Sequence, residues 1–220
     1  MCGRYILSAP PEAIADHFDV HEVPPFAPRW NIAPTQVVPV VRETAEGTRE
    51  CVLLRWGLIP FWAKDPAIGS RMVNARVESV VDKPAYRAAF RKRRCLVPVT
   101  GFYEWKPEGR YKQPYLFRLR GAALFSLGGL WEQWKSPEGD DVQTFTIITT
   151  PASEAVAAHH DRMPLVVARP DYDEWLSSPN PGELMRPFEG EFDVVAVSRR
   201  VNSVQNDDPS LSEPLAREKE

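Results

Sequence analysis

The sequence predicts an α+β fold: a curved, mainly antiparallel sheet or partial barrel with short helices interspersed. Three observations predict it. Short stretches rich in β-branched and aromatic residues recur along the chain, bounded by turn residues. Few windows carry a helical repeat. The 22 prolines among 220 residues are about twice the usual share, and they are spread out, which calls for many turns rather than one linker.

Ser8 to Phe18 reads as the first helix, with Pro10 and Pro11 suited to its first turn and Ile14 and Phe18 on one face. Gln36–Arg42 and Glu50–Trp56 read as strands joined by a turn at Glu46-Gly47. Val73–Val81 and Pro84–Arg91 read as helices with a boundary at Pro84. Leu96–Tyr103, Tyr115–Leu119, Leu124–Leu130, Thr144–Thr149, Leu165–Ala168 and Phe192–Ser198 read as strands, and Ala152–His160 and Tyr172–Leu176 as helices. Mixed short elements of this kind predict one layered α+β domain. No boundary splits it, so the expected division is a single domain over 1–210. From Ser203 the chain turns acidic and poor in large apolar residues, and 211–220 is expected to be a mobile acidic tail.

Hydrophobic residues are 43% and charged residues 26%, which excludes a mostly disordered or collagen-like chain. No apolar run reaches the roughly 18 residues of a membrane span, and the first residues lack a basic-then-apolar leader. The expectation is a cytoplasmic protein with no membrane partner. Cys2, Cys51 and Cys95 are too few and too widely spaced for a disulfide framework or a zinc site. No metal or cofactor is expected. The adjacent His159 and His160 would point about 100° apart on a helix, a poor metal pair. Phosphate-binding loops, nucleophile elbows and dinucleotide fingerprints are absent.

The net charge of -3 predicts no general affinity for polyanions. Its distribution is uneven. Arg71 to Cys95 holds eight basic residues (Arg71, Arg76, Lys83, Arg87, Arg91, Lys92, Arg93, Arg94) against Glu78 and Asp82, or +8 − 2 = +6. The segment is either a solvated, ion-paired face or a phosphate-binding patch.

Cys2 is the most informative position. Removal of Met1 would give it a free α-amine beside its thiol, with ordinary pKa values of about 7.7–8.0 and about 8.5. Such a 1,2-aminothiol captures aldehydes: the amine forms a Schiff base, and the thiolate closes a five-membered thiazolidine. An internal cysteine cannot do this. Taken alone, a cysteine at position 2 reads first as an accident of sequence.

The surrounding motifs separate these readings. They are Met1-Cys2-Gly3-Arg4-Tyr5, Arg29-Trp30-Asn31-Ile32-Ala33-Pro34-Thr35, Arg55-Trp56-Gly57-Leu58-Ile59-Pro60 with Trp62-Ala63-Lys64, Asn74-Ala75-Arg76-Val77-Glu78, Cys95-Leu96-Val97-Pro98, Gly101-Phe102-Tyr103-Glu104-Trp105-Lys106, His160-Asp161-Arg162-Met163-Pro164 and Val201-Asn202-Ser203. In this order, over nearly the whole chain, the series resembles the SOS-response-associated peptidase (SRAP) family of abasic-site processing proteins. The resemblance implies a protein that binds single-stranded DNA, including single-strand/duplex junctions. It implies capture of the aldehyde of an abasic site as a thiazolidine on Cys2, and a monomer associated with the nucleoid.

It also implies roles. Cys2 would be the nucleophile. Asn74 would orient its amine and thiol. Glu104 would be the general acid/base, a task that suits a partly buried carboxyl. His160, with a near-neutral pKa, would exchange protons with the sugar ring oxygen. Arg4, Arg71, Arg76, Arg87 and Arg162 would meet phosphates, and Trp62 and Trp105 would stack on bases or wedge against a flanking duplex. Removal of Met1 in cis and a weak strand-cleaving lyase reaction are further implied activities.

Read without the resemblance, Asn74 is as well a cap or turn residue, Glu104 an outward strand residue and His160 a structural histidine. Two other functions compete: a thiol hydrolase acting on peptides in trans, and a non-catalytic single-strand-binding module.

Overall fold

A computed structural model describes residues 2–215. Thirteen strands and four α-helices make up the described chain. Two sheets organise it. The first has β1 (Tyr5–Leu7), β2 (Arg29–Ile32), β7 (Gly101–Glu108), β8 (Tyr111–Leu119) and β13 (Phe192–Ala196), in the order β13-β8-β7-β1-β2. The second contains a closed ring. β3 (Val37–Glu43), β4 (Arg49–Trp56), β6 (Arg94–Val99), β9 (Phe125–Lys135) and β10 (Asp141–Pro151) pair in a circuit that returns from β9 to β10 and from β10 to β4. The β10–β4 step is parallel and the other four are antiparallel. β5 (Asn74–Arg76) and β11 (Arg162–Pro164) join β10, and β12 (Val166–Val167) joins β9. The mainly antiparallel, barrel-forming α+β architecture is the one expected.

Each strand of the ring contributes buried apolar residues, among them Val40, Leu54, Val97, Leu127 and Phe145. Trp56, at the end of β4, is fully buried, with its ring 5.3 Å from Tyr5 and 6.2 Å from Phe145. Its indole N–H is satisfied by the Val73 carbonyl at 2.8 Å. Gly57 then turns the chain with φ +127°, and a side chain there would meet the Gly69 carbonyl oxygen at 2.6 Å. This close crossing anchors the 58–71 loop that carries Phe61 and Trp62.

Several boundaries differ from expectation. The segment 73–81 is not a helix: residues 74–76 form β5, followed by turns. Val73, Ala75 and Val77 alternate toward the core, and β10 supplies parallel backbone partners. The helix expected from Pro84 forms only over Arg87–Lys92 (α2), after turns. The one expected over 152–160 shrinks to Glu154–Ala157 (α3). The first helix, α1, begins at Pro11, and α4 spans Tyr172–Ser177. Strands β1 and β2 were not expected. The tail boundary at 210 falls inside a helical turn, Pro209–Ser212, whose Leu211 is fully buried. Asp207 accepts from the Asn31 amide at 2.9 Å, and Leu215 donates to Ala196 at 2.8 Å, so residues 211–215 are docked. Residues 216–220 lie outside the described chain. Among the described residues no helix is long and apolar enough to cross a membrane.

Candidate functional site

The first sheet brings Cys2 to Glu104. β1 runs antiparallel to β7 with Tyr5 opposite Phe102, and the Tyr103 amide donates to the Arg4 carbonyl at 3.0 Å. Carried outward, this register sets Cys2 beside Glu104 and Trp105. Alternation along β7 sends Glu104 to the face of Phe102 and Trp105 to the face of Tyr103. Cys2 belongs to the buried cluster that holds Phe102. Cys2 is 0% and Glu104 1% exposed.

Asn74 approaches from the other sheet. Its side-chain amide donates to the Cys2 carbonyl at 2.8 Å. Its Oδ1 is buried with no partner among the described residues, an acceptor beside Cys2. The Tyr86 hydroxyl donates to the Asn74 carbonyl at 3.3 Å, which fixes the start of β5.

His160 follows the short α3. The His159 ring packs edge-on against Tyr115 at 4.4 Å and Phe117 at 5.2 Å. Tyr115 is the residue directly opposite Glu104 in the β7–β8 hairpin, so this packing holds the His-His turn over Glu104. The His160 Nδ1 has two neighbours, the Arg162 amide at 2.9 Å and an Asp161 carboxylate oxygen at 2.8 Å. The amide N–H needs a lone pair on Nδ1, which leaves the proton of the neutral ring on Nε2. The carboxylate is the partner that the protonated ring would use.

Electrostatics separate these groups. Burial pushes the Cys2 thiol far up, and the Glu104 charge adds to the effect. Burial pushes Glu104 up to about 7, with Asp161 contributing in the same direction. Burial lowers His160, and Asp161 opposes that shift. A protonated thiol therefore lies beside a carboxyl that is divided between its two forms near neutral pH. That pairing suits proton transfer in both directions.

The expected DNA contacts divide into two groups. Arg71, Arg76, Arg87 and Trp62 are exposed. Arg4 is engaged inside the protein, donating to Asn31 Oδ1 at 2.8 Å and to the Val201 carbonyl at 2.7 Å, with its guanidinium 6.0 Å from the Trp105 ring. The Trp105 indole N–H donates to Asn202 at 2.7 Å. Arg162 holds both carboxylate oxygens of Glu78 and the Thr149 carbonyl. Within the basic segment, Arg94 is buried and Arg93 pairs with the buried Glu132 at 2.8 Å. Tyr86, Tyr115, His159 and Asp161 are site neighbours that sequence reasoning missed. The doublet His159-His160 was the local signal for His159, which the sequence suggests only as half of a poor metal pair.

Comparisons with known proteins agree with this fold. The chain is 37% identical to the abasic site processing protein YoqW of Bacillus subtilis over 97% of this chain and 99% of that one. It is 38% identical to the abasic site processing protein YoaM of the same organism, over 96% and 97%. A crystal structure of a Bacteroides thetaiotaomicron protein superposes with a TM-score of 0.88 at 24% identity, covering 98% of this chain and all of that one, and shares the fold. The family model described as SOS response associated peptidase (SRAP) matches residues 1–204. With that match across nearly its whole length, the chain belongs to the SRAP family.

Proposed function

We propose that this protein processes abasic sites in single-stranded DNA by covalent capture on Cys2. The carrying observation is the convergence of Asn74 and Glu104 on the second residue of the chain. Hydrolysis of the Met1–Cys2 peptide exposes the aminothiol. Glu104, ionised, takes a proton from the Cys2 ammonium. The free amine adds to the aldehyde carbon of the open sugar, giving a carbinolamine. Glu104, now protonated, returns that proton to the hydroxyl, which leaves as water, and a Schiff base remains. The Cys2 sulfur then adds to the imine carbon as its proton passes to nitrogen, closing the thiazolidine. His160 exchanges a proton with the sugar ring oxygen during opening, and with the same atom on reversal.

The buried Asn74 Oδ1 suits a donor such as the Cys2 amine, and the raised Glu104 pKa suits a group that must accept and donate near neutrality. The names of YoqW and YoaM, both abasic site processing proteins, support the substrate. Exposed Arg71, Arg76 and Arg87 supply phosphate contacts, and exposed Trp62 a stacking surface. The protein acts as a monomer in the cytoplasm, on nucleoid DNA and at single-strand/duplex junctions. Removal of Met1 at the same site is a secondary activity. Strand cleavage by β-elimination competes with ring closure and is minor.

The test mixes protein with single-stranded DNA carrying one abasic site, then separates it on denaturing gels, with Cys2→Ala alongside and the intact mass measured. A heat-stable adduct from wild type lacking Met1, absent in Cys2→Ala, is expected. No adduct from protein shown to lack Met1 overturns the capture chemistry.

A further inference from the structure

One cavity among the described residues is lined by groups other than Cys2. It is an open groove of about 930 Å³ between the 58–71 loop, α2 and β9. Two aromatic rings line it: Phe61, 57% exposed, and Trp131, one face of which is covered by the Arg42 guanidinium at 4.1 Å. Arg91 and Lys92 are exposed on its α2 side, and neither makes an ion pair among the described residues. Its lining holds four basic side chains, Arg91, Lys92, Arg93 and Lys135, against two acidic ones, Glu132 and Asp141. Glu132 is buried and held by Arg93 at 2.8 Å, and Asp141 lies opposite Lys135 in the β9–β10 ladder. The charge left over is positive.

The groove is tied to the Cys2 region through β10. Trp131 is opposite Phe145 on one side of that strand, and Asn74 pairs with Ile147 on the other. Two residues along β10 and one strand to each side put their backbones about 12 Å apart. The loop that supplies Phe61 also supplies Trp62, and it is fastened to β9 where the Trp134 indole N–H donates to the Ala63 carbonyl at 2.6 Å.

We infer that this groove is a second binding track for single-stranded DNA, holding the part of the strand that runs on from the captured lesion. Arg91 and Lys92 meet its phosphates, and Phe61 and Trp131 meet its bases. Aromatic faces beside unpaired cations are the combination that binds single strands without reading sequence. The excess positive charge favours this occupant over an apolar peptide. The inference rests on the single-strand reading above and adds where the strand goes.

The test uses undamaged oligothymidylate, so that no adduct forms and Cys2 plays no part. Its lengths are about six and about twenty nucleotides, chosen to fall within and beyond a typical single-strand site. Anisotropy is measured against salt for wild type, for the double variant Arg91→Glu/Lys92→Glu and for Phe61→Ala. All three substitutions are at exposed positions, and thermal melts check the fold. The expected result is that the double variant loses at least about tenfold in affinity for the long oligonucleotide, with a salt slope lower by about 2. Phe61→Ala loses about tenfold with its slope unchanged. In a separate control, a strand of about six nucleotides carrying one abasic site is crosslinked by every variant as by wild type. Equal affinity of wild type and both variants for the long oligonucleotide overturns the inference. So does displacement of a glutamate-rich peptide, but not of oligothymidylate, by the double substitution. Failure of crosslinking on the short abasic strand would instead overturn the capture chemistry and leave the groove measurement readable.

Discussion

Cys2 and Cys95 are both fully buried, and burial pushes both thiols far up. Their neighbourhoods differ in kind. Around Cys95 every contact serves packing. A side chain on Gly129 would meet its sulfur at 3.0 Å, and its carbonyl accepts the Trp175 indole N–H at 2.9 Å. Next to it Arg94 donates to the carbonyls of Phe90, Trp175, Leu176 and Ser178, which satisfies the end of α4. Around Cys2 lie instead a buried carboxyl, that of Glu104, and the Asn74 Oδ1, which is buried with no hydrogen-bond partner among the described residues. Burial alone makes a thiol inert. What distinguishes the Cys2 region is polar groups buried at a cost to folding, as expected where chemistry is done.

The comparison breaks most sharply at Glu104. Glu104→Gln removes the ionisable carboxyl beside Cys2 while keeping its shape, and the rate of covalent capture is expected to fall by about 10²–10⁴. In wild type the rate should rise with pH as Glu104 ionises through about 7, with further gain as the amine loses its proton, and the first step should vanish in the variant. Single-turnover gel kinetics from pH 5 to 9 check both; a variant that retains the first step removes Glu104 as the base.

The same substitution should stabilise the protein. The folded carboxyl, raised from 4.5 to about 7, binds its proton more tightly than the unfolded one. Its contribution to stability is therefore fully present below about 4.5, is lost as pH rises through about 7, and stays lost above that. The loss amounts to roughly 3 kcal/mol at most, and Glu104→Gln should recover a part of it at neutral pH. Urea melts at pH 5 and pH 8 read this directly. A wild type more stable at pH 8 relative to Glu104→Gln would show that the carboxylate is well solvated or paired.

Arg94→Met sharpens the other half of the comparison. It removes the donors from a set of buried carbonyls, and about 3 kcal/mol of stability should go with them. Arg91→Ala, three residues away on the exposed side of α2, should change stability by less than about 0.5 kcal/mol. Folded Arg94→Met should still capture abasic DNA at the wild-type rate. A loss of capture without loss of stability would place Arg94 in the function after all.

How these regions read in the sequence follows the same division. The sheet and barrel were legible because alternating apolar residues in β3, β4, β9 and β10 are local signals. Asn74 was identified as a candidate but expected on a helix, because β5 is three residues long and takes its backbone partners from β10, far away in sequence. The eight cations of 71–94 read as one patch. In the fold the chain passes from the exposed α2 into the buried β6, so Arg91 and Lys92 face water while Arg94 is interior. Net charge cannot show that division. The docked stretch to residue 215 was missed for the mirror reason: one buried leucine, Leu211, holds a segment whose composition is otherwise that of a tail.

The smallest effect is expected at Cys95 itself. Cys95→Ala deletes one sulfur from a site closed by Gly129 and the β6–β9 ladder, so it leaves a small void with no polar group exposed to it. A cost of about 1 kcal/mol is expected, seen as a modest drop in Tm. Capture, adduct mass and the pH profile should match wild type. Cys95→Ser should cost more than Cys95→Ala, although serine is closer in size, because its hydroxyl would be buried among apolar neighbours. If serine proved the better tolerated of the two, the Cys95 region would hold a hydrogen-bond partner of its own. The contrast with Cys2 would then rest on Glu104 and Asn74 alone.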